Sequence, residues 1–194
     1  MLTSTPSDLA ALPARERLLL TAHRLFYGDG IRATGIDRVI AESGVTKVTF
    51  YRHFPSKNDL VVAVLEHRHR VWMAWFVDAL RRHGGETRGL KALVPALREW
   101  VGSDGYRGCA FLNGVAELGG TQPEVLELTR RHKRDMEQAI AGLLPPSRHR
   151  ARDAMAVAMA VDGAIVRAQF EAETEPVLKT LDALVKAWEV PAGT

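Results

Sequence analysis

The sequence predicts an all-α protein in which a small N-terminal helix-turn-helix module is joined by one long helix to a larger helical domain. Three observations predict it. Apolar residues recur at helical spacing in nearly every segment, no stretch alternates as a half-buried strand would, and Gly or Pro stands between most segments. The 194 residues suffice for one ordinary domain or two small ones, and 46% apolar residues provide a core.

The first helix is predicted from Pro13 to Tyr27, with Leu18, Leu19, Ala22, Leu25 and Phe26 on one face. Pro13 suits the first turn, where its missing N–H costs nothing, and Gly28 and Gly30 end the helix. Thr34 is placed to cap a second, short helix carrying Ile36, Val39 and Ile40, which Gly44 stops. Thr46 caps a third helix, Lys47 to Phe54, and Pro55 breaks it because residues before proline avoid the helical region. Ser56 followed by Asp59 resembles a capping box for a fourth helix, Lys57 to His83. At about 1.5 Å per residue, that helix is roughly 40 Å long.

Further helices are predicted over Leu90–Val101, where Pro95 kinks or restarts the helix, then Cys109–Leu118 and Pro123 to about Leu144. Arg150–Ala172 is apolar on nearly every face, and the last helix begins near Pro176 with Leu178, Leu181, Leu184, Val185 and Trp188 in one stripe. Two apolar helices of this kind need a partner surface, so a homodimer is expected. The resulting division is a flexible tail over 1–12, a module over 13–57 and a second domain over 58–194.

Charge is uneven along the chain. Residues 13–57 hold eight Lys or Arg against four Asp or Glu, whereas residues 58–194 balance. A basic module beside a neutral one points to a polyanion as partner of the first only. No run approaches about 18 apolar residues and the N-terminus lacks the features of a secretory signal, so a soluble cytoplasmic protein without a membrane partner is expected. One cysteine, Cys109, allows no intramolecular disulfide and no cysteine-based zinc site; it reads as a small buried apolar residue, with a redox-sensing thiol as the alternative. His67 and His69, two apart on a helix, point to nearly opposite sides and make no metal pair. No cofactor is expected, and no nucleophile–base motif or phosphate loop supports an enzyme. An all-helical enzyme with an internal cavity and a protein-binding adaptor remain the competing classes, and salt-dependent DNA binding separates them from the main reading.

The strongest signal is residues 34–54, TGIDRVIAESGVTKVTFYRHF. Two short helices meet at Gly44, as a helix-turn-helix requires. Phe50 and Phe54, at i and i+4, share the inward face with Val45, Val39 and Ile40, while Val48 and Arg52 project the other way. A face of Lys47, Val48, Thr49, Tyr51 and Arg52 suits a major groove: Arg forks to guanine, Val touches a thymine methyl, and Tyr, Thr, Lys and His donate to phosphates.

The run Gly44-Val45-Thr46-Lys47-Val48-Thr49-Phe50-Tyr51-Arg52-His53-Phe54-Pro55-Ser56-Lys57 resembles the hallmark of the tetracycline-repressor (TetR) family of regulators, with close similarity over about residues 15–62. Ile40 departs from it, since alanine is common against the turn. The resemblance implies that Lys47, Val48 and Arg52 face bases or nearby phosphates, and that Thr34, Thr46, Thr49, Tyr51, His53 and Lys57 position the module on the backbone of double-stranded operator DNA. It also implies a homodimer formed through the last two helices, and release of DNA when an unidentified small molecule enters the C-terminal domain. Trp72, Trp75, Phe76, Trp100 and Phe111 are the candidate cavity lining, with a dry core as the alternative. The run Arg130-Arg131-His132-Lys133-Arg134 reads as a solvated helix face. Asp162, in an apolar helix, reads either as a satisfied buried polar group or as an interface contact.

Overall fold

The computed structural model describes residues 10–189. Most of the tail expected over 1–12 therefore lies outside the described residues. The contacts divide the chain into two compact units. One holds the residues up to Arg70 together with Ala110–Arg130; the other holds Val71–Cys109 and the residues from Arg131 onward.

The first unit is built on α1 (Ala14–Asp29), whose Leu18, Leu19, Ala22, Leu25 and Phe26 are buried. It runs two residues beyond Tyr27 and ends where Gly30, at φ 95°, donates its N–H to the Phe26 carbonyl. Only a glycine accepts that backbone without strain. Then follow α2 (Ile36–Ser43) and α3 (Lys47–His53). Between them Gly44 adopts the left-handed conformation, φ 64° and ψ 32°, and Val45 N–H reaches back to the Ile40 carbonyl. These are the bonds that close a helix end and let the chain turn within three residues.

Thr34 does not cap α2. Its hydroxyl donates backward to the Gly30 carbonyl at 2.8 Å and its side chain is fully buried, so Gly35 takes the cap position without a side-chain bond. A threonine hydroxyl serves a turn or a cap, and here the turn before the helix takes it. Thr46 does cap α3, accepting from the Thr49 N–H at 3.2 Å. Ser56 accepts from the Asp59 N–H at 3.2 Å and donates its hydroxyl to the Asp59 carboxylate at 2.6 Å, which opens α4 (Lys57–Arg82).

The first half of α4 contributes Leu60, Val61, Val64 and Leu65 to the core of this unit. α7 (Ala110–Leu118) and the start of α8 (Pro123–Ala141) complete it. Gln122 donates from Nε2 to the Asn58 carbonyl at 3.2 Å, and Glu117 accepts the N–H groups of Ile31 and Arg32.

In the second unit the end of α4 packs Trp72, Phe76, Ala79 and Leu80 inward. A short α5 (Gly85–Arg88) and a 3₁₀ turn (Gly89–Ala92) lead to α6 (Leu93–Val101). The helix restarts at Leu93, which puts Pro95 in the first turn, where no intrahelical N–H is needed. α9 (Arg150–Arg167) and α10 (Glu175–Glu189) close the unit. α9 stops five residues before Ala172; beyond it Gln169 turns back and donates from Nε2 to the Arg107 carbonyl at 2.8 Å. Ala154, Val157, Ala158, Val161 and Ile165 bury one face of α9, as Leu178, Leu181 and Val185 do for α10.

Candidate nucleic-acid interface

α3 separates its two faces sharply. Phe50 and Phe54 are 0% and 2% exposed, with Val39 fully buried beside them in the same unit. Arg15 lies over the Phe54 ring, 5.3 Å from its centre. On the opposite side Val48 is 72% exposed and Tyr51 45%, with Lys47 and Arg52 also exposed. Lys47, Val48, Tyr51 and Arg52 form one ridge, since i, i+3 and i+4 positions share a helix face. Nothing in the unit's own core needs a valine held 72% in water, so the ridge is shaped for an external surface.

The flanking residues hold the ridge in place. Thr46 and Thr49 bond to each other through their hydroxyls at 2.9 Å, fixing the entry to the helix. Tyr51 packs at right angles to Phe50, ring centres 5.1 Å apart, while remaining 45% exposed. His53 and Lys57 are half-buried. Lys57 lies 6.0 Å from the centre of the Phe26 ring, and burial pulls its ammonium below the ordinary lysine value, opposed by the Glu117 charge. Thr34, expected among the phosphate contacts, is fully buried with its hydroxyl engaged at Gly30, so its side chain does not reach the surface.

The module's charge is arranged less simply than its sum suggested. Arg38 pairs with Asp29 at 2.7 Å and with Glu42 at 2.8 Å, and Arg24 takes the other oxygen of Glu42. These contacts hold the Glu42 carboxyl below its usual range, Arg24 contributing most. Two arginines are thereby spent on α1 and α2, while Arg52 remains exposed and Lys47 holds only a 3.3 Å contact with the well-exposed Asp37. Sequence composition counted all of these cations alike.

In the second unit the aromatic residues pack against one another. Trp72 stacks on Phe76 at 4.7 Å and meets Trp100 edge-on at 5.3 Å, with Trp75 6.0 Å from Trp72 and 6.2 Å from Trp100. Two residues that the sequence did not single out join them: Tyr106, 5.3 Å from Trp100, and His132, 5.0 Å from Trp72. Phe111 belongs to the first unit, where it stands edge-on to His69 at 6.4 Å. Trp75 is pinned by its indole N–H, which donates to Glu99 at 3.1 Å. Arg82 grips the same carboxylate with two 2.9 Å bonds, and chiefly for that reason the Glu99 carboxyl falls to about 2. The Trp72 indole N–H, by contrast, is buried without a hydrogen-bond partner among the described residues.

The basic run on α8 is not one solvated face. His132 is 2% exposed, and Lys133 bonds Asp162 at 2.6 Å, both side chains mostly covered. A helix turns about 100° per residue, so five consecutive positions sample every side. Arg130 and Arg134 alone of the run are fully on the solvent side. Asp162 is thus paired with Lys133 within the same unit, its side chain 28% exposed. Cys109 is buried, and among the described residues no cluster of three or more His, Cys, Asp or Glu is close enough to hold a metal ion. No helix of the described residues is long and apolar enough to cross a membrane.

A basic helix-turn-helix with an exposed groove-sized ridge, carried by an all-helical chain, defines a DNA-binding transcription regulator. A family model described as "Bacterial regulatory proteins, tetR family" matches residues 18–64. SCO4454, a TetR-family transcriptional regulator of Streptomyces coelicolor, is 32% identical; the match covers 96% of this chain and 95% of that one at a TM-score of 0.82. The chain belongs to the TetR family of regulators and is not an enzyme. The reduced form of Escherichia coli NemR shares the fold, with a TM-score of 0.76 over 90% of this chain and 96% of that one, at 21% identity. The transcriptional activator FasR of Mycolicibacterium smegmatis is 35% identical over 101 residues, half of this chain and 46% of that protein. An uncharacterised regulator of Lactococcus lactis is 26% identical over 133 residues, 66% of each chain. The chain thus spans between about half and two thirds of these two relatives.

Proposed function

We propose that the protein is a cytoplasmic, homodimeric repressor that reads a pseudo-palindromic operator with α3 and releases it when a small apolar or aromatic molecule enters the second domain. The observation that carries the DNA reading is the ridge of Lys47, Val48, Tyr51 and Arg52 set opposite the buried Phe50 and Phe54. In this reading Lys47, Val48 and Arg52 meet base edges or nearby phosphates. Thr46, Thr49, Tyr51, His53 and Lys57 hold the backbone, and Thr34 contributes only through the turn it stabilises. Residues 13–57 form the DNA-binding module, and 58–194 serve sensing and dimerisation.

The dimer reading is supported by apolar side chains left in water on the last two helices and the turn between them. Met155, Met159, Val166, Phe170, Leu184 and Trp188 are between 37% and 69% exposed. A twofold interface covers such a seam with its own copy. The effector reading is supported by Trp72, whose ring packs with those of Trp75, Phe76, Trp100 and His132 and whose indole N–H is buried without a hydrogen-bond partner among the described residues. Buried donors are ordinarily satisfied, and a ligand acceptor would complete this one. The coupling required is a difference in ligand affinity between DNA-competent and DNA-incompetent states, typically about 1–3 kcal/mol.

The deciding experiment is operator selection from random duplexes followed by titration against salt. Steep salt dependence and a palindromic footprint support the reading. Absence of sequence-selective binding overturns it. In vitro transcription from the selected site then separates a repressor from an activator such as FasR: occlusion lowers transcript, and activation raises it.

A further inference from the structure

The first turn of α2 carries one acid, Asp37, and its side chain is 87% exposed. Its Oδ1 lies 3.3 Å from Nζ of Lys47, the residue that opens α3 and the ridge. Among the described residues Asp37 makes no other ion pair, and Lys47 meets no other carboxylate. The neighbouring Arg38 does not compete for Asp37, because it is held by Asp29 and Glu42. The first cation of the ridge thus has a carboxylate of its own beside it.

A carboxylate in the first turn of a helix is favoured by the helix dipole, and Gly35 gives α2 no side-chain cap, so Asp37 has a structural use. The dipole is served by an acid at any first-turn position, whereas the contact with Lys47 depends on this one. An ion pair so exposed adds little to stability, so the pair does not serve to hold α2 on α3. What it changes is the charge offered to DNA. Lys47 and Arg52 are the permanent cations of the ridge, and Asp37 cancels one of them. Binding to arbitrary duplex is almost wholly the attraction of cations for phosphates, while operator binding adds contacts to base edges. An acid set against one of two cations therefore takes proportionately more from arbitrary duplex than from the operator. In a loosely docked complex Lys47 keeps its carboxylate; in a closely docked one a base edge or phosphate replaces it.

We propose that Asp37 is a specificity-determining residue: by holding Lys47 it suppresses sequence-independent DNA binding, and Lys47 is released only against a matched site. The assignment rests on the DNA reading of the ridge. Asp37 gains discrimination by weakening the competing duplexes rather than by contacting the operator.

The test compares the full chain with Asp37→Asn on the selected operator and on a random-sequence duplex of equal length, each titrated across salt by fluorescence anisotropy. Asp37→Asn is expected to tighten the random duplex by at least about fivefold, with a log–log salt slope steeper by about 0.9 per protomer. The operator should tighten by no more than about twofold, so the ratio of the two affinities falls. In a Lys47→Gln background, Asp37→Asn should tighten the random duplex by less than about twofold, because no ammonium is left to free. Unchanged affinity for the random duplex overturns the proposal, and so does an equal gain on both duplexes or a gain that persists in full without Lys47. A lowered melting temperature in Asp37→Asn with selectivity unmoved leaves only the helix-dipole role and overturns it too. A chain with no sequence preference would overturn the ridge reading and this assignment together, whereas undiminished preference in Asp37→Asn overturns the assignment of Asp37 alone.

Discussion

The carboxylate of Glu117 accepts the main-chain N–H of Ile31 at 3.0 Å, and its second oxygen takes the N–H of Arg32 at 2.6 Å. One side chain of α7 thereby satisfies two successive donors of the turn between α1 and α2, 85 and 86 residues earlier in the chain. Gly30 holds the turn in the φ 95° backbone that presents these donors, which a side chain would strain, although a methyl there would find ordinary room, 3.5 Å from both carboxylate oxygens. Bonds from a charged acceptor are worth more than neutral ones, and leaving the donor of the buried Ile31 unmet costs about 1–3 kcal/mol, while water can replace the carboxylate at the exposed Arg32. Glu117→Ala is therefore expected to lose stability in that range by urea unfolding. Glu117→Gln keeps an acceptor for one N–H and should lose about half as much. Because Ile31 and Arg32 lead into α2, Glu117→Ala should also weaken operator binding beyond what its stability loss explains. Equal stability of all three proteins would show that the turn does not depend on this contact.

Arg52 and Tyr51 should fail differently. Arg52 is exposed on the ridge and free to fork onto a guanine edge, whereas Tyr51, anchored edge-on to Phe50, offers only a hydroxyl at a fixed height. Arg52→Ala is expected to cost about 1–3 kcal/mol on the preferred operator and to relax selectivity at one base pair per half-site. Tyr51→Phe should weaken all duplexes alike, with selectivity unchanged. Competition binding with single-base operator variants distinguishes the two patterns. If Arg52→Ala lowers affinity evenly across sequences, its role is at a phosphate.

Much of this arrangement was legible in the sequence because it depends on local rules. The i, i+4 pair Phe50 and Phe54, the left-handed Gly44 and the break at Pro55 define α3 and its outward face without reference to the rest of the chain. Thr34 was misread because one hydroxyl has two nearby uses, capping forward or closing a turn backward, and tertiary burial decides between them. The Glu117 contact was invisible, since nothing in residues 110–118 announces a partner more than 80 residues away. Ala110–Arg130 packs with the first unit for the same non-local reason, taking Phe111 with it. His132 was hidden inside a run of four cations, where composition suggested solvent and helical geometry turned one position inward beside Trp72.

Acid should destabilise the protein before its carboxylates titrate. The ordinary histidine value is 6.5, and His23 in the folded chain is pushed down to about 3, mainly by burial and then by Arg68 and His67. Between these values the unfolded chain binds a proton that the folded chain refuses, so stability rises with pH across the window and levels off above about pH 7. His67 is lowered in the same direction, also chiefly by burial, and adds to the slope. At pH 5 the His23 contribution alone amounts to about 2 kcal/mol. Thermal melts at fixed salt should show a falling Tm from pH 7 to pH 5. His23→Gln should flatten that fall, whatever its effect on Tm at pH 7. An unchanged slope in a folded His23→Gln variant would place the titration elsewhere.

Met159 and Phe170, 69% and 65% exposed, lie on the faces of α9 and its following turn that the unit's core does not use. The opposite face of α9 is fully committed, with Val157, Val161 and Ile165 at 2% exposure or less. Substituting the exposed positions therefore leaves the protomer's packing intact, and surface changes of this kind usually alter stability by no more than about 0.5 kcal/mol. If the apolar seam is covered by a second copy, Met159→Glu places a carboxylate against its own symmetry mate near the twofold axis, or against desolvated apolar surface away from it. Either cost is large compared with the loss of one methionine contact. Phe170→Ala removes a large aromatic anchor without adding charge, and such truncations at an interface centre cost about 2 kcal/mol or more. Light scattering and sedimentation should find the unaltered chain dimeric at micromolar concentration, Phe170→Ala dissociating at higher concentration than it, and Met159→Glu monomeric with a near-unchanged melt. Operator affinity should fall with the dimer, because a lone protomer engages one half-site and loses the second set of α3 contacts. A monomeric unaltered chain would remove the interface, and with it the reason for expecting a palindromic operator.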